Sequence, residues 1–229
     1  MLVNDWMSSP VITVGVDESM QRAVELMTES RVGMLPVMAN GKLVGVVTDR
    51  DLKKAAPSSV VLIDVKQVLY HLTHVKIGAI MTNNPVTVFP DQTVEEVAQL
   101  LLDRNISGCP VVDHGGNLAG IITKNDIFRA LVSVSGLRKK GVQFGLLLED
   151  RPGSIKEVTD IIRRHQCRLV SIMTTYDKAP EGFRFAYIRA FDVDRDRLSE
   201  IKAELAETAK LLYVADLKEG IRETYRDPY

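Results

Sequence analysis

The sequence has no surplus of charge of either sign and no long apolar run. Lysine and arginine together number 29, against 30 aspartate and glutamate residues, so the net charge is -1. A chain with so little net charge has no overall basic field to attract nucleic acid or an anionic membrane. Its longest apolar runs, such as residues 60–63 and 145–148, are far shorter than the ~20 residues that span a bilayer. We therefore expect partners to be recognised locally, and we expect neither nucleic acid nor membrane among them.

Cysteine is also scarce. The chain has two, Cys109 and Cys167, and each lies in an apolar, strand-like context. This setting favours buried, reduced thiols over a disulfide or a redox pair. The N-terminus has no charged region followed by an apolar stretch, so we expect no export. These observations predict a cytoplasmic protein.

Catalytic and metal-binding patterns are missing as well. The sequence contains no Gly-x-Ser-x-Gly motif and no Gly-rich Walker loop. His71 and His74 are three residues apart on a predicted connecting helix, but no cysteine or carboxylate is placed to complete a metal site. We expect exposed polar positions for both. The predicted protein is not an enzyme, binds no metal and requires no cofactor.

What the sequence does contain is one segment written twice. Residues 36–52 read PVMANGKLVGVVTDRDL, and residues 110–127 read PVVDHGGNLAGIITKNDI. Pro36 and Pro110 are 74 positions apart, and the spacing grows to 75 after a one-residue insertion in the turn. In such a repeat each copy is a supersecondary unit that buries its apolar face against the other. The question of function is therefore what the two copies enclose.

Each copy predicts the order strand, helix, strand, strand, helix. The predicted first strands are Val11 to Val14 and Val86 to Phe89. The predicted hairpin strands are Leu35 to Met38 with Leu43 to Val47, and Cys109 to Val112 with Leu118 to Ile122. The predicted helix starts are Asp17 and Asp91 for the first helix, and Thr48 and Thr123 for the second.

A Gly-apolar-apolar-Thr-x-x-Asp motif closes each copy, with Thr48 and Asp51 in the first and Thr123 and Asp126 in the second. A helix N-terminus has unpaired N–H groups at which a phosphate can bind beside the threonine. The aspartate could accept hydrogen bonds from the two vicinal hydroxyls of a ribose. The same spacing is close to a capping box, in which both side chains only satisfy their own helix. Taken alone, the motif favours the capping box, and only the context of the whole repeat favours a ligand site.

The whole repeat resembles a tandem pair of CBS domains, also called a Bateman module, over residues 1–133. The resemblance implies an α/β (α+β) fold in which two repeats pack about a pseudo-twofold axis and leave two clefts for adenosyl ligands such as AMP, ADP, ATP or S-adenosylmethionine. One implied cleft contains Thr48 and Asp51, walled by Ala79, Ile106 and Ser107. The other contains Thr123 and Asp126, walled by Asp5, Val32 and Gly33. Charge on the phosphate side could come from Arg50, Lys53 or Lys124, for which solvation at the surface is the alternative.

The predicted boundaries follow from this reading. Repeat 1 covers residues 1–56, a connecting segment with a helix over Asp64 to Leu72 covers 57–77, and repeat 2 covers 78–133. A polar linker follows at 134–140, then a second domain at 141–217 and a polar tail at 218–229, which we expect to be frayed or bound to a partner.

The second domain has the predicted order βαββαβ, which is typical of a ferredoxin-like sandwich. Its first strand runs into the turn Asp150-Arg151-Pro152-Gly153-Ser154. Together these features resemble an ACT domain. The resemblance implies that an amino acid binds where this turn meets a neighbouring ACT domain, facing Asp150, Pro152 and Gly153. The alternative is an ACT domain that only dimerises.

Two CBS copies followed by an ACT domain resemble the bacterial acetoin-utilisation B-type proteins, which implies a stand-alone regulator. We expect a homodimer that senses an adenine nucleotide, and an amino acid at the ACT domain, and thereby changes its assembly or its contact with a metabolic enzyme. The alternative is a scaffolding protein with vestigial clefts. The sequence names neither the nucleotide nor the amino acid nor the enzyme, and it does not choose between a dimer and a tetramer.

Overall fold

The computed structural model describes residues 1–56 and 73–225. The chain divides into two compact units, Met1–Phe128 and Arg129–Tyr229. The division falls within the helix Lys124–Val134, so the predicted 134–140 linker belongs wholly to the second unit. The predicted helix from Asp64 to Leu72 lies outside the described residues, as does His71.

Repeat 1 contains a four-stranded sheet with the order β1-β2-β3-β4. Strand β1 (Val14–Gly15) runs parallel to β2 (Met34–Ala39), while β3 (Lys42–Thr48) is antiparallel to both β2 and β4 (Thr82–Asn83). The helices of the repeat are Met20–Ser30 and Asp49–Ala55. The predicted hairpin is therefore confirmed. The first strand is shorter than predicted and begins at Val14.

Repeat 2 has the same plan with less regular pairing. Its hairpin consists of β5 (Gly108–Val112) and β6 (Leu118–Thr123), and its helices are Val94–Asp103 and Lys124–Val134. The predicted strand at Val86 to Phe89 is reduced to an isolated parallel bridge between Val88 and Val111. That bridge is the counterpart of the pairing between Val14 and Val37 in repeat 1.

The outer edge of each sheet comes from the segment that precedes the other repeat. Strand β4, which leads into repeat 2, pairs with β3 of repeat 1, and Ser8, which leads into repeat 1, forms a bridge with Ile121 of repeat 2. Two buried anchors are exchanged in the same way: Ile77 lies in the core cluster of repeat 1, and Val3 lies in that of repeat 2. Each repeat is therefore completed by chain that belongs to its partner.

The motif glycines make room for this exchange. A Cβ atom on Gly45 would lie 2.5 Å from Met81 Sδ, and a Cβ atom on Gly120 would lie 2.3 Å from Met7 Sδ. A side chain at either position would force the methionine to move, and at position 45 it would also lie 2.9 Å from the backbone oxygen of Thr82, so glycine lets the exchanged segment cross the strand closely. Met7 and Met81, which are 74 residues apart, thus occupy equivalent positions against the motif glycines of the two repeats.

The predicted N-caps Asp17 and Asp91 were wrong. The helices begin two residues later, where Ser19 accepts a hydrogen bond from the Arg22 N–H and Thr93 forms a complete capping box with Glu96. Each of these stretches carries two residues that suit an N-cap, and the hydroxyl is the one adjacent to the first helical turn.

The second unit is an antiparallel sheet covered on one face by two helices. Its order along the chain is β7 (Val142–Glu149), helix Ser154–Arg164, β8 (Arg168–Thr175), β9 (Phe183–Phe191), helix Leu198–Thr208 and β10 (Lys210–Asp216). The sheet order β10-β7-β9-β8 is that of a ferredoxin-like sandwich. The predicted α+β class and the βαββαβ order are confirmed.

Part of the expected polar tail is regular structure. Strand β11 (Ile221–Thr224) pairs antiparallel with β10 and extends the sheet. An edge strand is held by backbone hydrogen bonds and needs no apolar side chains, so polarity gave a misleading signal. Lys202 Nζ also lies 2.8 Å from a carboxylate oxygen of Glu223, which ties the strand to the preceding helix.

Both cysteines are buried and unpaired, as predicted. Cys109 is 1% exposed within the core of repeat 2. Burial raises the pKa of its thiol to about 12, so this cysteine packs as an apolar side chain.

Candidate functional site

A cavity of about 290 Å³ lies between the two CBS-like repeats of the first unit. Repeat 1 contributes the start of the helix Asp49–Ala55, and repeat 2 contributes the loop before β5. The polar and apolar groups that face each other across it are Thr48, Asp51, Arg50, Lys54, Ile106 and Ser107. The duplication therefore encloses a space that neither copy forms alone.

Thr48 and Asp51 form a complete capping box at one wall of the cavity. The N–H and Oγ1 of Thr48 both donate to Asp51 Oδ2, at 2.9 and 2.7 Å, and the Asp51 N–H donates to Thr48 Oγ1 at 3.3 Å. The capping reading of the motif is thus correct for one carboxylate oxygen. The other oxygen, Oδ1, forms no hydrogen bond with the residues that the structure describes. One side chain can therefore close its helix and still accept a hydrogen bond from a ligand.

Of the three residues predicted to wall this cleft, two line the cavity and one does not. Ile106 and Ser107 line the cavity, whereas Ala79, which ends the 3-10 turn Ile77–Ala79, does not. The segment just after that turn takes its place, through Thr82, Asn84, Pro85 and Val86. Asn84 has a positive φ of 48°, a conformation that asparagine adopts more readily than most residues. The Asn-Pro pair was the available sequence signal for a sharp change of direction here.

Of the three cations predicted for the phosphate side of the ligand, only one lines the cavity. Arg50 lines the cavity, but Lys53 and Lys124 do not. Lys53 Nζ lies 3.1 Å from Asp49 Oδ2 in an exposed ion pair. Lys54, which the sequence reading missed, lines the cavity instead. Its spacing of four residues from Arg50 puts both on one face of the helix, and that spacing was the signal.

The second Thr-Asp pair has the same local geometry in a tighter setting. The N–H and Oγ1 of Thr123 donate to Asp126 Oδ2 at 2.8 and 2.6 Å. Asp126 is only 2% exposed, whereas Asp51 is partly buried. The residues implied for this second cleft do not line the 290 Å³ cavity, and its implied walls are exposed or nearly so: Asp5, Val32 and Gly33.

The turn Asp150 to Ser154 of the second unit is already occupied by internal contacts. Tyr176 OH donates to Asp150 Oδ1 at 3.2 Å, and Arg184 Nε lies 3.7 Å from the same oxygen. Gly153 has a φ of 91° and forms the N-cap of the helix Ser154–Arg164, while Pro152 is exposed. Glycine is required at that backbone conformation, which accounts for its place in the turn.

A larger cavity, of about 570 Å³, lies beside this turn and not at the three predicted residues. It is lined by Arg151, whose guanidinium donates to both carboxylate oxygens of Glu157 at 2.8 and 2.6 Å and to Glu149 at 3.1 Å. The Arg151 hydrogen bonds hold the pKa of the Glu157 carboxyl below its usual range. Asp150, Pro152 and Gly153 do not line this cavity.

Within residues 1–56 and 73–225, no group of three or more histidine, cysteine or acidic residues could hold a metal ion. In that same part of the chain, no helix has both the length and the apolar character that crossing a membrane requires.

The CBS domain model matches residues 3–58 and 77–133, which are the two copies of the repeat. A CBS domain-containing protein of Dictyostelium discoideum is 34% identical over 135 residues, which cover 58% of this chain and 93% of that protein. The chain belongs to the CBS-domain proteins. Residues 3–58 and 77–133 are its tandem CBS pair, a Bateman module.

Other similar proteins show the contexts in which CBS pairs occur. The inosine-5'-monophosphate dehydrogenase of Korarchaeum cryptofilum is 36% identical over 118 residues, but these are only 22% of that enzyme and 52% of this chain. Among solved structures, CBSX2 in complex with AMP is 31% identical, with 57% of this chain and 96% of that chain covered and a TM-score of 0.48. The CBS domain pair of protein MJ0100, in complex with 5'-methylthioadenosine and S-adenosyl-L-methionine, is 33% identical, with coverage of 57% and 95% and a TM-score of 0.48.

Proposed function

We propose that the CBS pair is a non-catalytic sensor that binds an adenosyl ligand in the cavity at Thr48 and Asp51. The observation that carries this proposal is that Asp51 lines the cavity and uses only Oδ2 in its capping box, which leaves Oδ1 able to accept a hydrogen bond from a ligand. A ribose hydroxyl is the donor that suits it, as the resemblance to other CBS pairs implies. The volume of about 290 Å³ is at the small end of ordinary ligand pockets, which begin at ~300 Å³.

The apolar wall supports the same assignment. Ile106 is partly buried against the core of repeat 2 and faces the cavity opposite the Thr-Asp pair. A flat adenine ring can pack on such a side chain, and Ser107 next to it offers a polar group at the ring's edge. Repeat 2 would thus hold the base while repeat 1 holds the sugar.

We propose a second, weaker site of the same class at Thr123 and Asp126, with Asp5, Val32 and Gly33 as its walls. The low exposure of Asp126, at 2%, means that a ligand would have to open a space before reaching the carboxylate. Opening a packed space costs free energy, so the first cleft should fill at lower ligand concentration.

For the second unit we propose an ACT domain that responds to an amino acid near Asp150, Pro152 and Gly153. Its βαββαβ order and the Asp-Arg-Pro-Gly-Ser turn support this. We further propose a cytoplasmic homodimer whose assembly, or whose contact with a metabolic enzyme of acetoin utilisation, changes when ligand binds. A ligand can do this only if its affinity differs between the two states.

A scaffolding protein with vestigial clefts is the second candidate. The observation in its favour is that both boxes are already satisfied internally, since each aspartate accepts two hydrogen bonds from its own threonine. Such a protein would keep its shape and its oligomeric state with or without nucleotide.

Calorimetric titration of the full chain with AMP, ATP and S-adenosylmethionine tests the proposal. We expect Asp51→Ala to weaken binding about tenfold or more, because a charge-assisted hydrogen bond contributes roughly 1.5 to 3 kcal/mol. Glu96→Ala is the matched control, because it removes the carboxylate of an equivalent capping box that lies outside the cavity. If both variants bind like the wild type, Asp51 has no role with the ribose, and light scattering that does not change with ligand would favour the scaffold. Chromatography of ATP after long incubation with the protein checks that the nucleotide is not consumed.

A further inference from the structure

One helix is shared by the two units of the chain. It runs from Lys124 to Val134, and the division between the units falls inside it. Asp126, in its first turn, belongs to the second Thr-Asp pair. The hydrogen bonding continues past Val134, because the Ser135 N–H donates to the Leu131 carbonyl at 3.0 Å. A helix of this length spans ~16 Å, so its two ends are joined by one continuous hydrogen-bonded rod.

The far end of this helix is fastened to the sheet of the second unit. The Ser135 carbonyl accepts two hydrogen bonds, from Arg189 Nε and from Ser171 Oγ, both at 2.9 Å. Arg189 on β9 and Ser171 on β8 are partners across the two strands. Arg189 Nη2 also donates to Gln143 Oε1 of β7 at 2.9 Å, which fixes the guanidinium. We call Ser135, Ser171 and Arg189 the clamp.

The residue after Ser135 shows how closely the clamp is packed. Gly136 is buried and has a positive φ of 67°, and a Cβ atom on it would lie 2.1 Å from Val170 Cγ1. Glycine meets both requirements, because it has no Cβ atom and adopts positive φ freely. The turn therefore lies directly on the sheet, and a side chain at this position would push it away.

The closed clamp has an unfavourable contribution of its own. Arg189 is only 3% exposed, and it forms no ion pair with a carboxylate of the described residues. Its Nη1 atom is buried without a hydrogen-bond partner in that part of the chain, and burial lowers the pKa of the guanidinium. A buried cation without a counter-ion is costly. Hydration of Arg189 therefore favours an open clamp, against the two bonds to Ser135.

We propose that the clamp is a switch between a closed and an open state, and that an adenosyl ligand at Asp126 favours the open state through the shared helix. The inference rests on the second site of the proposed function. Asp126 is 2% exposed, so a ligand has to displace what covers its carboxylate, and a shift of the first helical turn reaches Ser135 along the rod. Because coupling is reciprocal, opening the clamp must raise the affinity for the ligand by the same factor.

The test is equilibrium binding of AMP, ATP and S-adenosylmethionine to the full chain with Asp51→Ala, in which the first site is weakened. Adding Ser171→Ala, which removes one bond of the clamp, should tighten binding about twofold to tenfold, the shift that loss of one hydrogen bond gives to an equilibrium. In a chain with Asp126→Ala, where the first site is measured instead, Ser171→Ala should change nothing. Thr175→Ala is the matched control, because its hydroxyl lies on the same strand and accepts from the Asp177 N–H outside the clamp.

Amide hydrogen exchange reads the clamp directly. Exchange at residues 135–139 should become faster in the wild-type chain when ligand is bound. Gly136→Ala places a Cβ atom against Val170, so it should give the faster exchange without ligand. Exchange in β10 and β11, at the other edge of the sheet, should stay the same in both cases.

The outcomes separate this inference from the proposed function. If Asp126→Ala causes no loss of binding in the chain with Asp51→Ala, the proposed second site fails and the switch fails with it. If that site binds, but Ser171→Ala leaves its affinity unchanged and ligand leaves the exchange at residues 135–139 unchanged, the switch is wrong and the second site stands. If Thr175→Ala tightens binding as much as Ser171→Ala, the effect is a general loosening of the sheet, which also overturns the switch.

Discussion

The two CBS repeats share a backbone plan but not the chemistry displayed on it. Their Thr-Asp boxes have nearly the same hydrogen bonds, with Thr Oγ1 to Asp Oδ2 distances of 2.7 and 2.6 Å. The first two helical residues differ completely, since repeat 1 has Asp49 and Arg50 where repeat 2 has Lys124 and Asn125. The capping threonine and aspartate are therefore the same in the two copies, whereas the two residues between them differ in charge.

The same contrast applies to packing. The anchors Ile77 and Val3 are both fully buried, but each serves the core of the repeat to which it does not belong in sequence. The repeats are alike as folds and depend on each other for completion. A change in one copy should therefore be felt in the other.

The largest expected effect comes from the exchanged anchors. Ile77→Ala should lower the free energy of unfolding by about 2 to 5 kcal/mol, because it leaves a cavity in a packed core. The loss should appear first in repeat 1, as faster hydrogen exchange in β2 and β3, although Ile77 precedes repeat 2 along the chain. Val3→Ala removes fewer atoms and should loosen β5 and β6 instead. Faster exchange confined to the repeat that follows each residue would contradict the exchange of anchors.

The motif glycines should give the next largest effect. Gly45→Ala places a Cβ atom against Met81, and overpacking of this kind costs about 1 to 3 kcal/mol. Gly120→Ala should behave alike against Met7. Urea denaturation measures both. Adding Met81→Ala should recover part of the loss in Gly45→Ala and none in Gly120→Ala; recovery in both would show that the two contacts are not specific.

The smallest effect separates the first helices of the repeats. Thr93 donates from its N–H and Oγ1 to Glu96 and so holds the pKa of that carboxyl below its usual value, whereas the Ser19 cap of repeat 1 has no carboxylate partner of this kind. A lowered pKa in the folded state gives stability that is present above the unfolded pKa and is lost as the pH falls through the folded pKa. Carbon-detected NMR titration should show this for Glu96, and Glu96→Gln should abolish the pH dependence of local exchange at that helix. A Glu96 pKa at or above the usual glutamate value would contradict the capping box.

Local pattern was sufficient for much of this fold. Alternating apolar residues around a glycine turn predicted both CBS hairpins to within two residues, and the βαββαβ order of the second unit followed from the same kind of signal. These elements are determined by neighbours in sequence, which is why sequence could reveal them. The helix starts at Ser19 and Thr93 were missed because an equally suitable aspartate precedes each of them by two residues.

The long-range features left weaker traces. The bridge from Ser8 to Ile121 joins residues more than a hundred positions apart, and no periodicity reports such a contact, although the equal spacing of Met7 and Met81 was a hint. At the cavity, the repeat motif was enough to find Thr48, Asp51 and Arg50. Lys54 and the segment after Ala79 were not found, because their position depends on how the two repeats pack. Strand β11 was missed because an edge strand does not need an apolar pattern.

Because edge segments are exchanged between the repeats, we expect neither repeat to be stable when it is separated from the other. A gene cut between the copies would encode two fragments. Each fragment would lack the anchor and the edge segment that complete its own core and sheet, and would carry those of the other fragment. Neither fragment would fold well by itself, but the two made together should find each other and reassemble. We therefore expect the two copies to unfold together as one cooperative unit, despite the doubled sequence.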